Sequence, residues 1–307
     1  MPGLYSLFFF GLKPGLDFSG GSRLELTATT SAMVRQTPAS ALSKVDLPSN
    51  IASQAALPSK VQAEKIKKYF DQNKLAYERV EAQGANIVLR LKEIDEERKN
   101  ELLKGISQNV VPVVEQRFET LGPLLGQELI LKTLIGVALA SILIALYIIY
   151  QFQDWLFGLC AILATVHDSL VILGVFSLLG KFLGIEIDTL FVTAVLTVLS
   201  FSVHDTIVVY DRIREKLKLM KTTVGDLSLT DFEKIIDLST NETLVRSLNN
   251  SLTVIFMLAA LFILGGDSIR WFSLALLVGT VSGTYSSPFV AGPLLLVFKK
   301  LFEKRRK

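Results

Sequence analysis

From about residue 128 onward the sequence is built from apolar runs of about twenty residues with few charges, the length a helix needs to cross a hydrocarbon core about 30 Å thick. Five such runs are predicted as complete spans: Leu129–Tyr150, Trp155–Leu179, Ile187–Tyr210, Thr243–Leu264 and Trp271–Phe298. The last is long enough to tilt or to pass the membrane surface. The opening "MPGLYSLFFFGL" has an apolar stretch too short to span and lacks the charged start of a signal peptide. It is predicted as the end of a sixth span, residues 1–12, that begins upstream; an interfacial anchor is the alternative. The chain is an integral membrane protein, with the lipid bilayer as its first partner.

Residues 13–127 read as a water-facing domain. "GLKPGLDFSGG" places Gly15, Gly20 and Gly21 around Asp17, where glycine permits positive φ and close backbone approach and the Asp can cap nearby amides. "SRLELTA" alternates like a strand, and the Ala-, Ser-, Thr- and Pro-rich stretch of about 28–59 reads as a flexible insertion. An amphipathic helix over Lys60–Asn73 is followed by a hairpin turning near Gln83-Gly84-Ala85-Asn86. A second helix over Asp95–Asn109 leads to a last extended stretch, "VPVVEQRFETLGP". That order predicts a ferredoxin-like α+β domain beside an all-α membrane bundle spanning 128–298.

Lys and Arg near the span ends set the orientation. "DRIREKLKLMK" and the basic tail 299–307 are predicted as cytoplasmic, which places the α+β domain on the other side. Residues 211–242 form a cytoplasmic excursion, in which "SLTDFEKIIDL" is predicted as a capped amphipathic helix lying on the membrane surface.

Several functions are excluded. A net charge of +3 gives no footing for nucleic acid, and one cysteine, Cys160, leaves no disulfide or Cys-based metal site. Two histidines cannot make a three-His zinc centre, no His-Glu-x-x-His is present, and no cofactor or enzymatic activity is expected.

What remains is unusual: two His-Asp pairs, His167-Asp168 and His204-Asp205, inside apolar spans. An ionised carboxylate there costs about 3 kcal/mol on insertion scales, so it must be protonated, paired or wet. Neither Asp has a cation three or four residues away on its own helix, so each must look to another helix. Arg246, early in its span and at compatible depth, is the predicted partner of Asp205. Thr189, Thr193, Thr197, Ser200 and His204 share one helix face that could line a wet path or a helix contact, and on spacing alone His204 is the titrating group. Gly279 and Gly283 have the Gly-x-x-x-Gly spacing of a close helix contact. Spacing leaves open whether either Asp carries protons or simply holds helices together.

The motifs "GLKPGLDFSGG", "FETLGPLLGQEL", "HDSLVILGVFSLLG", "DTIVVYDRIRE" and "SLALLVGTVSGTYSSPFVAGPLL" together resemble SecF, the membrane subunit that works with SecD in bacterial protein export, among the RND-type transporters. The resemblance implies an inner-membrane subunit that couples proton flow to cycling of external domains and so helps draw an unfolded polypeptide from the SecY/SecE/SecG channel. It places the proton-pathway Asp on Asp205 and its Arg on Arg246, with Asp168 and His204 as further members. A small-molecule or lipid efflux component of the RND type is the alternative.

Overall fold

The computed structural model describes residues 2–28, 58–83, 86–220, 222, 224 and 227–306. The predicted insertion, apart from its ends, and the Gly84-Ala85 turn lie outside the described residues. The chain divides into two units, Gly15–Leu131 and a bundle of Met1–Pro14 with Lys132–Lys307.

In the first unit the short helix α2 (Leu16–Ser19; α1 belongs to the bundle) leads into β1 (Gly21–Ala28). Then come α3 (Ser59–Gln72), β2 (Arg79–Gln83), β3 (Asn86–Leu91), α4 (Glu96–Asn109) and β4 (Val113–Leu121). Ala28 closes a strand and Ser59 opens a helix, so the irregular stretch is shorter at both ends than the sequence suggested. The sheet order is β2-β3-β1-β4, every pair antiparallel. Period-2 alternation puts Leu24 and Leu26 of β1 and Ile87, Leu89 and Leu91 of β3 on one buried face. Ile66 and Phe70 of α3 and Ile106 of α4 cover that face, each contributing about 1.5–3 kcal/mol by leaving water. Asp95 caps α4 by accepting from the Arg98 amide at 2.9 Å.

The double glycine has a specific geometric cause. The Gly20 amide caps α2 on the Leu16 carbonyl, and the chain then turns through φ of +69° at Gly20 and +103° at Gly21. A Cβ on Gly21 would stand 2.7 Å from the Leu91 carbonyl oxygen. Gly126, in the first turn of the helix that follows β4, is as constrained: a Cβ there would meet the Phe18 carbonyl oxygen at 2.8 Å.

The bundle contains α1 (Pro2–Phe10), α5 (Pro123–Phe152, entering from the first unit), α6 (Trp155–Leu183), α7 (Thr189–Leu219) and α8 (Leu229–Leu264). The last span is α9 (Asp267–Ser286), a π-helical turn at Ser287–Ala291, and α10 (Gly292–Arg306). Among the described residues, five helical stretches are long and apolar enough to cross a membrane, as expected. The nine-residue α1 packs on α6 through a glycine contact so close that a Cβ on Gly174 would lie 2.4 Å from the Gly3 Cα. Ser177 donates to the Ser6 carbonyl at 2.9 Å and Ser6 to the Gly174 carbonyl at 3.3 Å. By contrast α5 buries none of its apolar window within the chain.

Three boundaries differ from the sequence-based expectation. Residues 211–242 are mostly helix, because α7 runs to Leu219 and α8 begins at Leu229. The surface helix is the start of the fourth long span: Ser228 caps it as predicted, but "STNET" contains no Gly or Pro to break it. The basic tail continues α10 to Arg306. Finally, the last span is not one α-helix, since Pro288 has no amide to donate and the helix widens there into a π turn.

Polar ties hold the α7–α8 end of the bundle. Glu242 accepts from Arg212 at 2.5 Å and from Lys216 at 2.8 Å, and Arg214 donates to the Gln151 carbonyl at 2.9 Å. Buried Lys299 donates to the carbonyls of Leu227, at 2.6 Å, and Val224, fastening the α7–α8 connection to α10.

Replacing Gly21 with alanine forces a Cβ-bearing residue into positive φ against a carbonyl and should destabilise its unit by about 1–3 kcal/mol. Thermal unfolding of the purified full chain checks this, with Gly11→Ala as reference, since Gly11 has open space around it although its φ of +65° carries the same backbone cost.

Candidate functional site

The two His-Asp pairs land in different surroundings. Asp168, on the buried side of α6, is fully inaccessible. Its Oδ2 accepts from Ser202 of α7 at 2.5 Å and from Ser286 of α9 at 2.6 Å. Its Oδ1 accepts from Ser282 of α9 at 2.7 Å and lies 3.1 Å from His167 Nδ1. A carboxylate has about four acceptor sites, and this one faces four polar groups drawn from three helices. The chemical reason is the solvent: in a bilayer an unsatisfied buried carboxyl has no water to turn to. As expected, Asp168 finds its partners on other helices, with the adjacent His167 as an addition.

Asp205 is half-buried on α7 and accepts from Ser251 of α8 at 3.3 Å. It lines a cavity of about 470 Å³ between α7, α8 and α9. Thr197, Ser200, Ser202 and His204 line it from α7, Asn250, Ser251 and Val254 from α8, and Gly279, Thr280, Gly283 and Thr284 from α9. The C-terminal half of the predicted hydroxyl row therefore faces a cavity. Its N-terminal half is tied back to its own helix, with Thr193 and Thr197 donating to the carbonyls four residues earlier.

The predicted ion pair between Asp205 and Arg246 is not formed. Ser251 and Ser247 share the α8 face turned to α7, whereas Arg246, about 100° further round the same turn, is exposed. Depth was compatible, but direction was not. His204 is likewise exposed, on the cavity side.

The two aspartates are joined through a thin wall. Ser202 lines the cavity and at the same time donates to Asp168. Opposite it, Gly283 brings the α9 backbone so near that an added Cβ would stand 3.3 Å from the Ser202 Cα and 3.8 Å from Asp168 Oδ2. Gly279 gives its space to Val198, whose methyl would be 2.2 Å from a Cβ there. The Gly-x-x-x-Gly spacing is the close α7–α9 contact it resembles. Just beyond, Thr206 shares a hydrogen bond with Ser287 at 3.1 Å and Tyr210 donates to the Ala291 carbonyl at 3.2 Å, so α7 grips both ends of the π turn.

The site residues that the sequence reading passed over are serines: Ser202, Ser251, Ser282 and Ser286. A signal was present, because Ser247/Ser251 and Ser282/Ser286 recur at i, i+4 and so share a helix face. The site offers carboxyls, hydroxyls and imidazoles at bonding distance, which suits proton transfer and exchange of hydrogen bonds. Among the described residues, no three His, Cys, Asp or Glu side chains gather to hold a metal.

Comparison with known proteins gives a consistent result. The family model "Protein export membrane protein SecD/SecF, C-terminal" matches residues 102–301, and "SecD/SecF GG Motif" matches residues 5–32. Protein translocase subunit SecF of Thermobaculum terrenum is 39% identical over 96% of this chain and 87% of its own length. The SecF of Sebaldella termitidis is 35% identical over 97% and 85%, and that of Pseudomonas aeruginosa 31% over 95% and 84%. The crystal structure of SecDF, a translocon-associated membrane protein from Thermus thermophilus, superposes with a TM-score of 0.75 at 29% identity. It covers 97% of this chain, which spans only 36% of the SecDF chain. With the bundle, the double-glycine turn and nearly the whole length all matched, the chain belongs to the SecD/SecF family, aligned with its SecF subunits.

Proposed function

We propose that this protein is an accessory subunit of the Sec protein-export machinery that couples proton flow across the membrane to conformational cycling. The observation that carries the proposal is Asp205, an ionisable group in a membrane span, set in the wall of a hydroxyl-lined cavity. Carboxyl groups in spans are costly and mark proton or ion paths when they face a wet cavity. Each proton descending 100 mV supplies about 2.3 kcal/mol, enough to bias a two-state equilibrium about fifty-fold. That suits repeated small strokes on an emerging polypeptide better than one long pull.

The machine is shared. A SecD partner supplies the spans that close the cavity and a group that meets Arg246, which faces out of this chain. The cavity is then the meeting place of the two subunits, and the SecY/SecE/SecG channel delivers the unfolded client. In this reading α1 is the end of a first span, making six in the inner membrane. The β-α-β-β-α-β unit is ferredoxin-like and lies outside the cytoplasm. The basic ends of α7 (Arg212, Arg214, Lys216, Lys218) and of α10 lie on the cytoplasmic side.

Asp205→Asn in the assembled complex should reduce proton-gradient-stimulated export to the level seen without a gradient; translocation of a labelled precursor into membrane vesicles checks this, and full stimulation refutes the assignment. Arg246→Cys labelled with a thiol-reactive photoactivatable cross-linker should capture the SecD partner on illumination of intact membranes. Buried Cys160 contributes no competing thiol, so failure to cross-link separates Arg246 from the subunit contact.

A further inference from the structure

The Asp168 cluster holds more than is needed to bury one carboxyl. Its three hydroxyl donors do not have equal freedom. Ser202 and Ser282 have Asp168 as the acceptor of their hydroxyl hydrogen. Ser286 has two acceptors within reach, Asp168 Oδ2 at 2.6 Å and the Gly283 carbonyl at 3.3 Å. Ser286 is also the last residue of α9, and the π turn starts at the next position. Ser287, the first residue of that turn, already donates to the same Gly283 carbonyl at 3.0 Å and meets Thr206 of α7 at 3.1 Å. That carbonyl also accepts the Ser287 amide, which with the Ser287 hydroxyl fills its two lone pairs, while the Ser287 hydroxyl has a second acceptor in the Ser202 carbonyl at 3.4 Å.

We infer that Asp168 and Ser286 form a proton-sensitive joint that sets the conformation of the last span at the π turn, with Ser202 linking it to the Asp205 cavity; this rests on the proton-handling reading above. The exchange balances. A carboxylate here accepts from all three serines and His167. When a proton arrives from the cavity side, an O–H bond forms at Asp168 Oδ2 and that oxygen becomes a donor. The Ser286 hydroxyl then releases Asp168, donates to the Gly283 carbonyl in place of the Ser287 hydroxyl, which turns to the Ser202 carbonyl, and offers its own lone pair to the new carboxyl O–H. No group is left unsatisfied in either state, which is the condition for both to exist in a bilayer. Two arrangements of α9's last turn thus correspond to two proton occupancies. π turns recur at functional positions because their looser hydrogen bonding can be rearranged at low cost.

The titratable groups around the joint are few. His167 approaches from α6 itself, and Asp205 and His204 belong to α7 on the cavity side of Ser202. The contacts from α9 to Asp168 are hydroxyls, and α1 meets α6 at Gly3 and Ser6, with Lys181 over the Phe10 ring at the far end of that contact. Ser286 is a positioning residue: it carries no proton across the membrane but selects which carboxyl form the helix end tolerates.

The test is infrared difference spectroscopy of the full chain in its complex with SecD, in lipid vesicles, as pH is stepped. The protonated-carboxyl band that disappears in Asp168→Asn reports Asp168. At a given pH that band should be larger in Ser286→Ala, which withdraws a donor from the carboxylate, and return to its original size in Ser286→Thr, which restores the hydroxyl. Should Ser286→Ala fail to assemble, amide exchange of residues 283–291 in the unchanged protein should rise in step with the band. A band that never appears, that ignores Ser286→Ala, or that grows without any change in exchange at 283–291 overturns the joint. The Asp205 reading is judged separately, because loss of stimulated export in Asp205→Asn does not depend on the Asp168 band.

Discussion

A carboxyl group with no access to water must have every acceptor site met by the protein, and Asp168 imposes that condition on the whole bundle. Its partners come from α7 and α9, so three helices are fixed in rotation and depth by one side chain. Small residues make the arrangement feasible. Gly283 and Gly279 let α9 approach α7, and Gly3 and Gly174 let α1 lie on α6. In lipid, where apolar surface gives no drive for helices to associate, such close contacts and shared hydrogen bonds are what hold a bundle together.

The cavity follows from the same geometry. With α7 and α9 tight at their glycines, the opening falls between α7, α8 and α9, where Asp205, His204 and Asn250 gather. Asp205 is the less constrained of the two carboxyls, with Ser251 at 3.3 Å as its hydrogen-bond donor, and it faces space. One Asp is locked into the frame and the other borders an opening. Ser202 belongs to both, lining the opening and donating to Asp168.

Much of this was readable from residue pattern alone. Five spans, the sheet unit and the cap at Ser228 follow from apolar run length, alternation and a side-chain oxygen placed before a helical segment. Other features depended on direction and not on distance along the chain. Arg246 is exposed on α8 while its neighbour Ser247 is buried, and a rotation of about 100° between neighbours decides that. The surface helix merged with a span because the polar "STNET" was taken as a boundary, although polarity does not end a helix when no Gly or Pro intervenes. The serine cage was missed because a lone Ser in an apolar run is common. Its meaning emerges only when Ser202, Ser282 and Ser286 converge from two helices on one acid.

The π turn at Ser287–Ala291 has a consequence for how this fold can vary. Such a turn holds one more residue than an α turn, so it sets the rotational phase of everything after it. Leu295 reaches the core and Lys299 reaches the α7–α8 connection because α10 starts at that phase. Losing a single residue there would swing the final helix by about a quarter of a revolution and carry Leu295 and Lys299 away from these partners. Length at this point is therefore more tightly held than chemistry, and divergence among such chains should proceed by exchange of side chains, not by insertion or deletion.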